Sequence, residues 1–376
     1  MTTTSEQQQA DRRYMQLAID LAWRGLYTAA PNPRVGCVLV RDGEMIGQGY
    51  HIRAGEGHAE VNAIADAGDA SGATAYVTLE PCSHTGKTPP CCQALIAAKV
   101  TRVIVAMQDP NPLVAGKGIA ALRAAGIEVE TGLLESEARQ LNPGFIKRME
   151  TAMPWVRIKL AMSLDGRTAM ASGESQWITG AQARQDVQRL RARSSAIVSG
   201  VDTVIADDAS LTVRCDELGL PSDFAEQIVQ QQPLRVILDS SLRLSPTAKI
   251  LTQPGKTLVV AAQQNIEAQQ QLEQAGAEVI YIPGADGRVD LVKMLWTLAH
   301  RECNEIMVEA GATLAGAFSQ AGLVDQYSIY MAPTFLGSEA RPLLQLPLAS
   351  MNQQQRLTIE AITPVGDDWR IDTSPV

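Results

Sequence analysis

The sequence is poor in aromatic residues, carries no basic run and holds no apolar stretch long enough to cross a bilayer. Each absence excludes a class of function. Phe, Trp and Tyr make up 4% of the 376 residues, so cores must be built mainly from Ala, Val, Leu and Ile. Grips on single-stranded nucleic acid use aromatics beside basic residues, and no such clusters occur here. The formal charge is -9, without the basic face that a duplex or other polyanion would need. An anionic substrate therefore requires a local cluster of positive charge. Residues 1–13 are polar and Gln-rich, unlike a secretion signal. The cysteines, Cys37, Cys82, Cys91, Cys92, Cys215 and Cys303, are spaced irregularly, which argues for free thiols or metal ligands over a disulfide framework. Together these features predict a reducing, cytoplasmic compartment, with neither a membrane nor a nucleic acid as partner.

With 376 residues, 45% of them hydrophobic, the chain is longer than one ordinary domain, and each half can bury its own core. Tyr14, Leu17, Ala18, Leu21 and Ala22 recur at helical spacing and predict an amphipathic helix over 11–26. Apolar residues at 35–40, a turn at 41–44 and a second run at 45–50 predict a hairpin. A helix from about 58, a strand at 75–79, a helix at 92–98 and a strand at 102–107 follow. A helix at 116–125 and a strand at 127–130 complete an alternation that implies a sheet covered by helices. Proline, glycine and charged residues over 142–154 mark the junction between domains 1–152 and 153–376. Beyond it, strands are expected over 155–161, 196–199, 235–238, 257–261, 278–282 and 305–308. Helices are expected over 181–193, 266–275 and 291–300. Strands over 326–331 and 370–373 are expected to close the sheet at one edge.

His58-Ala59-Glu60 opens a predicted helix, and Pro81-Cys82 lies just past a predicted strand. Deamination of an amino-substituted nitrogen heterocycle needs a metal that acidifies water and a carboxylate free to move protons. Three soft or borderline ligands with one open position suit catalytic zinc. His58, Cys82 and Cys91 supply such a set, and Glu60 is placed to shuttle the proton. His-x-Glu followed by Pro-Cys is the signature of the nucleobase deaminases. Each piece alone is weak, since His-x-Glu on a helix is usually a surface pair and a lone cysteine is usually a small buried hydrophobe. In order, with a strand between them, they form a specific pattern. Cys92 and His84 are rival ligands. Cys92 adjoins Cys91 and cannot point the same way if a helix starts there, and His84 is assigned to the substrate. Cys37 is read as core or pocket wall.

Most of that superfamily has Pro-Cys-x-x-Cys, whereas position 85 is Thr and the next cysteine is Cys91, within Pro81-Cys82-Ser83-His84-Thr85-Gly86-Lys87-Thr88-Pro89-Pro90-Cys91. This insert resembles the riboflavin-pathway deaminases. Pro31-Asn32-Pro33-x-Val35-Gly36-Cys37 resembles the same family, as does Asp109-Pro110-Asn111-Pro112 with Gly116-Lys117-Gly118. In the second half, Lys159 to Arg167, Gly173 to Thr179, Gly200 to Asp208, Leu211 to Arg214 and Glu309 to Gly316 resemble the reductase domain of the bifunctional riboflavin-biosynthesis enzymes. The likeness runs from about Tyr14 onward. The glycines of Glu309-Ala310-Gly311-Ala312-Thr313-Leu314-Ala315-Gly316 let backbone amides and a helix N-terminus approach a phosphate, or simply let a helix pack tightly on its strand.

The resemblance implies an α/β protein: a zinc-dependent, cytidine-deaminase-like α/β/α domain over 1–152, then a dihydrofolate-reductase-like α/β domain over 153–376 that uses NADPH. It implies one zinc per chain and a small phosphorylated pyrimidine as substrate, deaminated first and then reduced from ribosyl to ribityl. A homo-oligomer, dimer or tetramer, is also implied. Cofactor contacts map to Ala161, Trp177, Thr203, Asp207, Gly311, Ala312, Thr313, Leu314, Ala315, Gly316 and Ala317. Substrate contacts map to Ser175, Arg191, Leu211, Arg214 and Glu309, and the two arginines offer the local positive charge. The family usually has proline where Ala209 stands, which should free a loop torsion before Leu211. The proton donor of the reduction stays open among Lys159, Asp207, Glu309 and water.

Overall fold

The computed structural model describes residues 4–83, 90–112 and 114–376. The chain divides into two compact units, Met1–Ala152 and Met153–Val376. Among the described residues no helix is long and apolar enough to cross a membrane.

The first unit holds β1 (Gly36–Arg41), β2 (Glu44–Tyr50), β3 (Thr74–Val77), β4 (Arg102–Val105) and β5 (Glu128–Thr131), in the order β2-β1-β3-β4-β5. β1 runs antiparallel to both β2 and β3, and β3, β4 and β5 are parallel. Side chains alternate across a strand, so β1 sends Val38 and Val40 to one face and Cys37 and Leu39 to the other. The first face packs with Tyr76, Leu141 and Ile146 beneath helices Thr4–Trp23, Glu135–Leu141 and Pro143–Thr151. The second packs with Ala63, Leu95 and Leu122 beneath helices Ala59–Ala67, Cys91–Ala97 and Lys117–Ala124. The expected α/β/α sandwich results.

The stretch 142–154, read from its composition as the junction between domains, is mostly helical. Pro143 sits in the first turn, where its missing N–H costs no hydrogen bond, and Ile146 enters the core. Asn142 uses its side chain elsewhere. It accepts from Arg34 N at 2.7 Å and donates to Arg34 O at 2.8 Å, which ties this end of the unit to the loop after Pro33.

The second unit is built on β6 (Trp155–Ser163), β8 (Ala196–Gly200), β9 (Leu234–Leu238), β10 (Thr257–Ala261), β11 (Ala277–Tyr281), β12 (Glu305–Glu309), β13 (Gln326–Ala332), β15 (Leu357–Val365) and β16 (Asp368–Pro375). A short ribbon pairs β7 (Arg167–Ala169) with β14 (Arg341–Pro342). The large sheet runs β11-β10-β9-β8-β12-β6-β13-β16-β15, parallel through β13 and antiparallel at its end. The edge is β15, not β16 as the sequence suggested. A register shift between Ile359 and Ala361 breaks the alternation of β15, and Ile359 is 59% exposed, so no buried face marks it as a strand. The chain winds outward from β6 to β11 and returns through β12, which inserts between β8 and β6. The carboxyl ends of these three central strands are where a ligand crevice forms in such sheets.

Each unit has its own sheet and its own core, so a fragment starting at Met153 should fold alone. We expect it to be soluble and to unfold in one cooperative thermal transition followed by circular dichroism. A fragment that aggregates, or melts without cooperativity, would contradict independent folding.

Candidate active sites

The first centre gathers at two helix starts and a strand end. His58 is the extended residue immediately before helix Ala59–Ala67, and Cys91 is the first residue of helix Cys91–Ala97. Cys82 follows β3 by a short loop. The three ligand atoms all lie within 4.8 Å of one another. His58 Nδ1 is 3.2 Å from Cys91 Sγ and 3.6 Å from Cys82 Sγ. Ligands at ordinary zinc–nitrogen and zinc–sulfur lengths around a tetrahedral ion stand about 3.6 Å apart, so the set fits zinc. The Cys91 backbone N–H donates to Cys82 Sγ at 3.3 Å. Together the Cys91 thiol and the His58 ring hold Cys82 down at about 4, where it is a thiolate.

Glu60, on the first turn of the same helix as His58, is 3% exposed. Burial pushes its carboxyl up to about 7, which suits a group that both takes and returns a proton near neutral pH. Cys92 is buried in the apolar cluster with Leu95 and Ile119, so it faces away from the ligand set. Cys37 is core in the same cluster. His84, assigned to the substrate, lies outside the described residues.

The sequence reading missed His51 and the use of Asn32. The His51 ring meets His58 edge-on at 5.2 Å between centroids. Asn32 Nδ2 donates to His51 Nε2 at 3.1 Å, which leaves the ring proton on Nδ1 to reach Gly57 O at 3.2 Å. Burial lowers the His51 pKa, so the ring is neutral. Asn32 carried a signal in its Pro-Asn-Pro setting, whereas His51 stands outside every motif.

The second centre lies at the carboxyl ends of β6, β8 and β12. Glu309 closes β12 opposite Lys159 of β6, with Glu309 Oε1 3.9 Å from Lys159 Nζ. Arg191 forks onto Glu309, with Nε at 2.9 Å and Nη2 at 2.7 Å, and its Nη1 donates to Thr212 O at 3.1 Å. Burial works against the Glu309 carboxylate, but Arg191 and Lys159 outweigh it and hold the group down at about 2. Burial lowers Lys159, with Glu309 opposing. Asp207 is raised by burial and then by Glu309.

Thr203 and Gly311 come together, the Gly311 N–H donating to Thr203 Oγ1 at 3.3 Å. Gly311 precedes helix Ala312–Gln320 without a side-chain cap, so its first-turn N–H groups suit an anion. Ala315 and Gly316 are buried a turn further on. A Cβ on Gly316 would stand 2.2 Å from Gln345 O, so this glycine serves tight packing. Leu211 is 4% exposed and belongs to the core, which leaves only its backbone for a ligand. Trp177 is 68% exposed, with Arg184 over its ring at 4.6 Å, and Ser175 lies in the same loop. Ala161 lies on β6 opposite Tyr330. The segment after Ala209 is pinned despite the absent proline. Gln232 exchanges two hydrogen bonds with the Val213 backbone, both 2.9 Å, and Gln188 receives Arg214 N at 3.2 Å. Arg214 itself is half exposed and pairs with Glu217 at 2.5 Å.

The cytidine and deoxycytidylate deaminase zinc-binding region matches residues 8–107, and the RibD C-terminal domain matches residues 154–371. The riboflavin biosynthesis protein RibD of Escherichia coli (strain K12) is 52% identical over 362 residues, covering 95% of this chain and 97% of that protein. The Haemophilus influenzae RibD is 50% identical over 368 residues, 96% of each. Among solved structures, Acinetobacter baumannii RibD (form 2) superposes with a TM-score of 0.89 at 48% identity, covering 98% of this chain and 100% of that one. A Thermotoga maritima diaminohydroxyphosphoribosylaminopyrimidine deaminase/5-amino-6-(5-phosphoribosylamino)uracil reductase superposes with a TM-score of 0.85 at 30% identity, with coverage of 98% and 100%.

The geometry separates Cys91 from Cys92 as a ligand. Metal analysis of purified protein is expected to find Cys91→Ser nearly free of zinc and Cys92→Ser loaded like the native chain. A Cys92→Ser protein without zinc would reverse the assignment.

Proposed function

We propose two consecutive reactions for this chain, which belongs to the RibD family of riboflavin-biosynthesis proteins. The first deaminates 2,5-diamino-6-(5-phosphoribosylamino)pyrimidin-4(3H)-one, and the second reduces the ribosyl group of the product to ribityl. The observation that carries the reading is the His58, Cys82 and Cys91 ligand set beside the buried carboxyl of Glu60.

In the first unit, His58, Cys82 and Cys91 would hold one zinc ion. When bound, zinc acidifies water so that a nucleophile forms near neutral pH. Glu60 accepts the proton released from that water and passes it to the departing amine. Its burial is what makes both transfers feasible, since a carboxylate of ordinary acidity would be too weak a base to take the proton near neutral pH. The neutral ring of His51 and the amide of Asn32 are polar groups beside the centre, available to hydrogen-bond the heterocycle.

In the second unit, the phosphates of NADPH are assigned to the uncapped helix start at Gly311, with Thr203 beside it. NADPH supplies a hydride, and the ring oxygen released as the sugar opens requires a proton. Glu309 is kept as a carboxylate by its cations and is therefore a poor donor. We assign delivery of that proton to the Lys159 ammonium, 3.9 Å from Glu309. Arg191 is committed to Glu309 through two hydrogen bonds, which leaves the half-exposed Arg214 as the phosphate anchor of the substrate.

Two variants test the two halves. Glu60→Gln should keep zinc and lose about 100- to 10,000-fold in deamination, while reduction of already deaminated substrate stays normal. Equal loss of both activities would point away from a role confined to the first centre. Arg214→Ala should raise the Michaelis constant for the phosphorylated substrate by on the order of tenfold or more, with NADPH binding little changed. Arg214→Lys should recover only part of the loss, because an ammonium lacks the planar fork. An equal effect on dephosphorylated substrate would remove Arg214 as the phosphate anchor.

A further inference from the structure

Glu80 stands two residues before Cys82 and is 3% exposed, yet no basic side chain pairs with it among the described residues. Its carboxylate is instead surrounded by backbone N–H groups. Oε2 accepts from Asp109 N at 3.2 Å and Gly116 N at 2.9 Å, and Oε1 accepts from Gly118 N at 2.9 Å and Ile119 N at 3.2 Å. Three of the donors come from the Asp109-Pro110-Asn111-Pro112 and Gly116-Lys117-Gly118 motifs, which no step of the reaction uses, and Ile119 directly follows the second. We infer that Glu80 is a positioning residue for the deaminase centre: its buried carboxylate clamps the 109–119 loop and thereby fixes the Pro81-Cys82 turn that presents a metal ligand.

A carboxylate buried without a counter-ion is costly unless hydrogen bonds satisfy it. Four N–H donors do so here, and the positive end of helix Lys117–Ala124 adds to them. The loop is shaped for this task. Asp109 Oδ1 accepts from Asn111 N at 2.8 Å, and the amides of Val114 and Ala115 return to Asn111 O at 2.8 and 2.9 Å. Both ends of Glu80 are tied, since its own N–H donates to Met107 O at 3.0 Å. Gly118 is the one residue that fits beneath the turn, because a Cβ there would stand 2.0 Å from Pro81 O. Pro81 and Cys82 are therefore held between a clamped side chain on one flank and a helix start on the other. Glutamine at position 80 would keep the shape but put an NH2 group against N–H donors and lose half of the acceptor capacity.

The test uses full-length zinc-loaded protein and follows zinc transfer to a colorimetric chelator at neutral pH. Glu80→Gln should release zinc about 10- to 100-fold faster, the usual effect of losing a partner that orients a metal ligand. Its deamination kcat should fall with KM little changed, and its reductase activity should remain. Glu80→Asp, which keeps the charge, should fall between it and the native chain. A Glu80→Gln protein with a lower melting temperature but native zinc release and native deamination kcat overturns the inference. Should that variant fail to fold, Gly118→Ala displaces the same Pro81 carbonyl and crowds the Glu80 side chain while leaving its charge in place. Faster zinc release there supports the inference, and native release overturns it. The inference rests on the zinc reading of His58, Cys82 and Cys91, which falls separately if the native chain holds no zinc.

Discussion

An imidazole and two thiols can share one cation only if the fold holds their donor atoms within a few ångströms of one another, with the proton-carrying carboxyl buried beside them. The first unit is organised around this constraint. The sandwich brings the starts of helices Ala59–Ala67 and Cys91–Ala97 to one end of the sheet, where unpaired N–H groups favour negative charge. Cys91 N donating to Cys82 Sγ is one such contact. Glu60 lies on the first turn of the helix that follows His58, outside the three-ligand group.

The second unit meets the same difficulty with charge. A carboxylate at the end of β12 has two oxygens to satisfy, and Arg191 takes both while Lys159 lies opposite. The family resemblance maps Arg191 to the substrate contacts. In the structure it forks onto Glu309 and holds that carboxylate ionised. In a chain of net charge -9, an anionic substrate depends on local positive charge, and Arg214 stands half exposed while Arg191 is mostly buried.

The layering of helices on sheets in both units was legible because helix and strand periods alternate over long stretches. The metal ligands were legible for a different reason: His58, Cys82 and Cys91 are chemically rare, and their order is informative even across the long insert. What escaped were features whose signal is not side-chain pattern. Asn142-Pro143-Gly144 reads as a break, yet the same residues start a helix when a proline falls in its first turn. β15 has no buried face and carries a register shift, so alternation is missing where it would have been sought. His51 and Glu80 have no motif of their own, and their importance comes from backbone carbonyls and amides that meet them from distant parts of the chain. A glycine at a strand-to-helix junction can serve a phosphate or a packing contact, and at Gly316 a Cβ would collide with the Gln345 carbonyl.

The two centres are therefore held in place by different forces. The metal ligands are fixed by covalent continuity to helix starts and by neutral peptide dipoles converging on Glu80, interactions that dissolved salt screens little. The carboxylate of Glu309 is fixed by ion pairs to Arg191 and Lys159, side chains that are themselves mostly buried. A metal site has to present its ligands within a few tenths of an ångström whatever the solution contains, because affinity falls steeply with geometry. A site that binds and releases a phosphorylated substrate gains from charges that can be redistributed when an anion arrives. The neutral clamp at Glu80 and the ionic cluster at Glu309 are each suited to the group that their unit has to hold.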